Sequence, residues 1–324
     1  MRMLWGSPVP GILRRLCAGG RWLGQQRWNT DGSWVRRRKP VRIVADLAGS
    51  DLLYGLQPVE AALRQRRREL YGLYVPRDYD GDLGRDRLER VVNLARMQDL
   101  PIARVPTRAM TEAVNGQPHQ GVILKTSRYD PPRITRIWNF ADGKYEVTFQ
   151  GADATRVVHH PRRGLPLWVA LDRIQDARNL GSIIRSALFF GADAVLTPHE
   201  GVCGVMSVVS KVSCGAAECA NVYRTANMPL LLDKTRKQGW SIVCATSGDS
   251  PMYKAVPIGQ VPPLTRPTIL VIGSEESGVS DEIARLSDMN VQIPPCGELP
   301  PFVDSLNAGV AAGILLASLR FEGE

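Results

Sequence analysis

Three separated segments in the second half of the chain constrain its fold more than any other feature. Asp176-Ala-Arg-Asn179-Leu-Gly181-Ser-Ile-Ile-Arg185, Val271-Ile-Gly273-Ser-Glu275-Glu-Ser-Gly278, and Ile293-Pro294 leading to Ser305-Leu306-Asn307 each put glycine and small polar residues where an apolar run ends. The apolar runs read as strands at 167–172, 193–197, 220–223, 241–245, 269–272 and 290–293. Between them, helical spacing predicts helices near 180–190, 205–215, 229–238, 281–286 and 305–319. Regular alternation of this kind predicts an α/β domain with a parallel sheet covered on both faces. Such a sheet binds its ligand outside the carboxyl ends of its strands, where the three segments fall.

The first half has its own pattern. Residues 51–63 read as a turn followed by an amphipathic helix, with Pro58 near its start and Val59, Ala62 and Leu63 on one face. Strands are expected at 70–75, 102–105 and 121–125, with a helix over 85–98 carrying Leu88, Val91, Val92 and Ala95 at helical spacing. A small α/β domain is therefore expected over 45–128. From 129 to 165 the pattern dissolves into Pro131-Pro132, Ala141-Asp-Gly143 and Pro161-Arg-Arg-Gly164, which reads as a linker or insertion with an isolated strand at Tyr145–Phe149.

The formal net charge is +9, but residues 1–40 hold nine basic residues against the single acid Asp31, which leaves the body nearly neutral. An Arg-rich, acid-poor leader interleaved with Leu4, Trp5, Leu13, Leu16 and Trp22 has the composition of a mitochondrial transit peptide, the alternative being a disordered basic arm that touches RNA. No stretch approaches the roughly 18 uninterrupted apolar residues of a membrane helix, so no membrane partner is expected. The six cysteines lack metal-ligand spacing, no metal is expected, and they read as ordinary core thiols. His159-His160 reads as a solvated linker pair. The run Arg64-Gln-Arg66-Arg67-Arg68 has two readings of equal weight, a solvated helix end or a contact to RNA phosphates.

Taken together, the three segments resemble the SpoU (TrmH-type) family of RNA 2′-O-ribose methyltransferases, one of the knotted methyltransferases. Asn179, Gly181 and Arg185 match its first motif; Gly273, Glu275 and Gly278 its second; Ile293, Pro294, Ser305, Leu306 and Asn307 its third. Ser213-Cys-Gly215-Ala216 also resembles a family segment. Gly55-Leu-Gln-Pro-Val59 and His119-Gln-Gly121-Val122 resemble the RNA-binding domain that precedes the catalytic one in ribosomal-RNA members. The resemblance implies a methyltransferase domain over 166–320, a deep trefoil knot near the C-terminus, a homodimer, and S-adenosyl-L-methionine as cofactor. It implies that Gly273, Ile293 and Leu306 line the adenosine pocket, and that Arg185, Asn179, Glu275, Ser305 and Asn307 form the catalytic set. With the leader, it implies a guanosine of mitochondrial large-subunit rRNA as target, in the matrix, on free rRNA or an assembling large subunit. Transfer-RNA methylation and a non-catalytic role in ribosome assembly are the alternatives.

An arginine stays protonated far above neutral pH, so Arg185 is expected to anchor and polarise the ribose hydroxyl rather than to act as a base. Taken singly, each motif has a structural reading: a capped strand-to-helix turn at Asn179-Leu-Gly181, a loop before a helix at Gly273, a helix cap at Ser305. Gly309-x-x-x-Gly313 reads as close helix packing. The chain departs from the family pattern in extra residues near Leu299–Phe302, and in Ala308-Gly309 where Val-Ser is usual.

Overall fold

The computed structural model describes residues 27–28, 34–35, 49–78, 86–151, 155–201, 203–248, 253–298, 300 and 305–321. The chain divides into units 1–42 and 43–324. In the first, β1 (Arg27–Trp28) pairs antiparallel with β2 (Trp34–Val35); the rest of the expected presequence lies outside the described residues.

The second unit begins with β3 (Ser50–Tyr54), α1 (Leu56–Gln65), β4 (Leu70–Pro76), α2 (Asp86–Arg96), β5 (Ile102–Val105), α3 (Thr107–Ala113) and β6 (Ile123–Ser127). Its sheet has the order β3-β6-β4-β5. The expected helix faces are in place, with Val59, Ala62 and Leu63 of α1 buried against Leu73, Val91 and Leu124. The segment 51–54, expected as a turn, is a strand that pairs with β6. Its Ser50 and Asp51 hide the alternation that apolar residues would display.

Residues 129–165 are not a bare linker. Ile134–Ile137 (β7), Tyr145–Phe149 (β8) and Arg156–His159 (β9) form a three-stranded antiparallel sheet, so the expected strand 145–149 is present but central rather than isolated. Ile134, Ile137, Tyr145 and Val147 join Trp168, Tyr223 and Trp240 in one core. The indole N–H of Trp168 donates to the Tyr145 hydroxyl at 3.0 Å and that of Trp240 to the Trp138 carbonyl at 2.9 Å. His159 stacks on Tyr145 with ring centroids 5.5 Å apart, which corrects its expected solvation.

The large domain follows as β10 (Leu167–Leu171), α4 (Ala177–Phe189), β11 (Ala194–Pro198), α5 (Ser207–Val212), α6 (Ala216–Cys219), β12 (Val222–Thr225), α7 (Met228–Arg236) and β13 (Ser241–Thr246). It ends with β14 (Ala255–Pro257), β15 (Thr268–Ile272), α8 (Asp281–Ala284), β16 (Met289–Gln292) and α9 (Ala308–Phe321). All neighbours in the order β12-β11-β10-β15-β13-β16-β14 are parallel. Every residue of β10 and β15 is buried, as a sheet covered on both faces requires. Alternate residues of β10 serve the two layers: Leu167, Val169 and Leu171 face the core under α4 and α9, Trp168 and Ala170 the core under the three-stranded sheet.

Two expected elements changed. The helix expected over 205–215 is shorter, α5 ending at Val212, because Cys214 and Gly215 adopt left-handed φ of 52° and 84°, and the short α6 that follows was not expected. The last helix starts at Ala308 rather than 305. The passage from β16 to α9, through which the implied knot would close, includes 299 and 301–304, so most of the extra residues expected at 299–302 lie outside the described residues.

Candidate active site

Strand order reverses direction between β10 and β15, since β11 and β12 extend the sheet on one side and the remaining strands on the other. Such a switch point opens a crevice at the strand carboxyl ends. Asp172 follows β10 there, and its carboxylate accepts the Ser280 N–H at 2.7 Å, tying the loop after β15 to the end of β10. That loop turns back on itself: the Gly278 N–H donates to the Ser274 carbonyl at 2.9 Å. A Cβ on Gly273 would stand 2.1 Å from the Gly278 carbonyl carbon, so only glycine fits at 273. Arg173 donates to the Gly278 carbonyl at 3.3 Å from the facing loop.

α4 opens on Asp176, whose carboxylate accepts the Arg178 N–H at 2.7 Å as a helix N-cap. Gly181 lies under α5, where a Cβ would come within 2.9 Å of Val212. Asn179, in the first turn, is buried and turned toward the C-terminal helix.

Asn307 is the junction of all three segments. Its side-chain NH2 donates to Asn179 Oδ1 at 2.9 Å and to Glu275 Oε1 at 2.7 Å. Its Oδ1 accepts the N–H groups of Gly309 at 3.0 Å and Val310 at 3.3 Å, while Glu275 Oε1 also accepts Ala308 N–H at 3.1 Å. The first turn of α9 is therefore capped by motif residues, with a carboxylate at its positive end. The orientation of the Asn307 amide is forced, because the helix end offers only donors. Ser305, expected as the structural alternative for this cap, does not hold the position; Asn307 does.

Arg185 is exposed two turns further along α4 and donates from Nη1 to Cys214 Sγ at 3.3 Å. Of the five expected catalytic residues, Asn179, Glu275 and Asn307 are in direct contact, Ser305 stands two residues before Asn307, and Arg185 faces the α5–α6 turn instead. Cys214 lies in the Ser213–Ala216 segment that resembles the family, but its contact with Arg185 was not foreseen, and its exposure corrects the reading of the cysteines as core thiols. Cys214 and Cys296 are exposed, whereas burial pushes the Cys244 thiol up to about 12. A cysteine at positive φ beside a glycine is the local signal that marks this turn.

Gly309 and Gly313 bring α9 against α4 of the same chain: a Cβ on Gly309 would lie 2.0 Å from Ser182 Oγ, one on Gly313 3.6 Å from Ser186 Oγ. The glycine replacing the family's serine thus accommodates Ser182. The cofactor-pocket candidates sit at two strand ends separated by β13 and at one helix start, with Gly273 after β15, Ile293 after β16 and Leu306 before α9. Leu306 keeps 46% of its surface exposed, an uncovered apolar side chain just before α9. Flat apolar contact beside main-chain groups is the chemistry an adenosine needs, and these residues fit it.

The basic run at the end of α1 divides, with Arg64 and Arg66 exposed and Arg67 and Arg68 turned inward. Arg64 pairs with Glu60 at 2.8 Å and Arg66 bonds Gln98 at 3.1 Å. Arg67 donates to the carbonyls of Cys219 and Ala220 and to Asn221 Oδ1. Arg68 is fully buried in a two-pronged pair with Glu218, at 2.8 and 3.0 Å, and also reaches Asp51 at 3.3 Å. The contacts of Arg67, and of Arg68 with Glu218, join the small domain to the large one. Gly55 and Gly215 close the same joint: a Cβ at Gly55 would meet Lys211 Nζ at 2.5 Å, and one at Gly215 would meet the Gln57 carbonyl at 2.8 Å.

Residues 166–317 match the SpoU rRNA Methylase family, and residues 52–132 match the RNA 2′-O ribose methyltransferase substrate binding family. A human protein named rRNA methyltransferase 1, mitochondrial, is 34% identical over 83% of this chain and 72% of its own length. The 23S rRNA (guanosine-2′-O-)-methyltransferase RlmB of Pseudomonas aeruginosa is 28% identical over 82% of this chain and 93% of its own. The crystal structure of the AdoMet-bound rRNA methyltransferase from Sinorhizobium meliloti shares the fold, with a TM-score of 0.61 at 22% identity over 85% of this chain and 88% of that one. The chain belongs to the SpoU methyltransferase family, and it is an S-adenosylmethionine-dependent RNA 2′-O-ribose methyltransferase.

Proposed function

We propose that this chain methylates the ribose 2′-hydroxyl of a guanosine in mitochondrial large-subunit rRNA, acting as a homodimer in the matrix after loss of a leader near residues 1–40. The observation that carries the reading is the junction at Asn307, which draws the three motif segments to one point at the switch of strand order. The mitochondrial assignment rests on the basic leader and on the name of the human relative, and guanosine on the name of the Pseudomonas relative.

S-adenosylmethionine supplies an electrophilic methyl on a sulfonium. Gly273, Ile293 and Leu306 hold its adenosine; Asn179, Glu275 and Asn307 fix the loops around it, and Ser305 offers a hydroxyl at the edge of the crevice. Arg185, held on the exposed side of α4, anchors the RNA ribose and its neighbouring phosphate and favours the ionised form of the 2′-hydroxyl. The proton passes to water or to a phosphate oxygen, since no guanidinium takes it up. With the cofactor bound, positioning of the hydroxyl by Arg185 would supply much of the acceleration. A second copy would cover the exposed apolar residues Val310, Ile314 and Phe321 of α9 together with Phe189 of α4.

The test is a map of ribose methylation across mitochondrial rRNAs and tRNAs in cells lacking the protein, complemented with wild type or Arg185→Ala. One large-subunit rRNA mark should vanish and return only with wild type. A lost tRNA mark, or full rescue by Arg185→Ala, overturns the assignment.

A further inference from the structure

We propose that the outer face of the three-stranded sheet β7–β9 is a second RNA-binding surface, gripping the phosphodiester backbone of the substrate away from the methylated ribose. This rests on the RNA-methylation reading. Neither family match reaches residues 133–165, so the sheet lies outside both the catalytic and the substrate-binding matches.

The segment that builds the sheet is basic, and Arg136 and Arg156 lie in its strands. Residues 133–165 carry six basic residues against the acids Asp142, Glu146 and Asp153, a net +3, whereas the rest of 41–324 nets −2. The register places Arg136 opposite Thr148 and Thr148 opposite Arg156, so the two arginines share one row across all three strands. The neighbouring pair Ile137 and Val147 points the other way, into the core. Arg136 and Arg156 therefore face outward.

Trp138 organises the pair. The Arg136 guanidinium lies 4.1 Å and that of Arg156 4.0 Å from its ring centroid. Two guanidinium planes cannot share one face at that distance, so each takes its own. The indole N–H donates to Thr148 Oγ1 at 2.9 Å, which fixes the ring. With both faces covered, Trp138 is not a platform for a base; it holds two cations in set planes, Arg156 exposed and Arg136 half-buried with its Nε turned away from solvent, so that planar oxyanions meet Arg156 and the outer edge of Arg136. Glu146 approaches Arg156 only to 3.5 Å, and both are about half exposed, so that exposed pair does little to neutralise the row. A polyanion with repeated charges fits this face. A basic ribosomal protein does not. The sheet covers the core opposite α4 and α9, so this contact engages a different stretch of RNA from the one at Arg185.

The test compares wild type with Arg136→Gln/Arg156→Gln in binding an in vitro transcript of the mitochondrial large-subunit rRNA across a salt series, and in methylating it. Each phosphate contact contributes roughly 0.7 to 0.9 to the slope of log affinity against log salt. The double variant should flatten that slope by roughly 1 to 2 and raise KM with kcat retained. Arg136→Lys/Arg156→Lys should keep most of the slope, which separates lost charge from a disturbed sheet. An unchanged slope in the glutamine variant overturns the proposal, whether or not wild type methylates the transcript. So does an unchanged slope accompanied by weakened binding to vesicles of acidic phospholipid, which would assign the face to a membrane surface. If the slope flattens while wild type methylates no rRNA, the second surface stands and the function proposed above falls.

Discussion

Asn307 shows how much one amide can decide. It gives both of its N–H donors to carboxamide and carboxylate oxygens and receives two helix donors on its oxygen, so all its hydrogen-bonding capacity is directed by neighbours. Asn307→Asp keeps the shape but turns a donor into an acceptor 2.7 Å from Glu275. It should destabilise the protein by about 1–3 kcal/mol in urea unfolding, and more than Asn307→Ala, which costs about 1 kcal/mol through the lost cap. Both should abolish methylation at a given enzyme concentration. Equal or smaller loss in the aspartate variant would mean that the amide is not oriented by the helix end. Gly309 makes a second case. Gly309→Ala should cost about 1–3 kcal/mol from overpacking against Ser182, and a double-mutant cycle with Ser182→Ala should recover part of it. A fully additive cycle would show that the clash lies elsewhere.

At the scale of elements, the parallel strands were legible because continuous burial writes itself as continuous apolar sequence. Leu167 to Leu171 and Thr268 to Ile272 allow no other reading. The sheet β7–β9 was not legible beyond its middle strand, because β9 is Arg-Val-Val-His with both valines exposed and β7 is interrupted by a bulge. The break after α5 escaped for a different reason: helical spacing continues through 214–215, and only the backbone, not the side chains, records the left-handed turn. The basic run 64–68 displayed its charge but not its partners, since Glu218 lies 150 residues away in sequence. Of the candidate site, the junction at Asn307 was legible as a set of motif residues, whereas the placement of Arg185 against Cys214 was not. Within β9, burial holds the His159 imidazole below its ordinary pKa. The unfolded chain therefore takes up this proton first, and stability should fall as the pH drops below 6.5 and level off beneath the folded value. His159→Gln should flatten that part of the profile of melting temperature against pH. An unaltered profile would place the acid sensitivity in another group.

Across the whole molecule the decisive contact is the one between the small and large domains. Arg68 and Glu218 are both withdrawn from solvent, and Ser210 Oγ donates to Glu218 at 2.5 Å. Arg68→Ala leaves a buried carboxylate without its cation, and should cost about 3–5 kcal/mol with a single, shifted unfolding transition or the appearance of two. Arg68→Met with Glu218→Leu should regain much of that loss, because removing both charges also removes their desolvation. If Arg68→Ala unfolds like wild type, the two domains are joined by something other than this pair.

The same joint sets a ruler. A recognition module on a slack tether can take hold of RNA at many separations from the point of chemistry, whereas one riveted through Arg67, Arg68, Gly55 and Gly215 has a single span. Selection of the target then becomes a matter of length: lengthening an RNA stem between the grip and the ribose by a few base pairs would silence the reaction rather than move it to a neighbouring nucleotide.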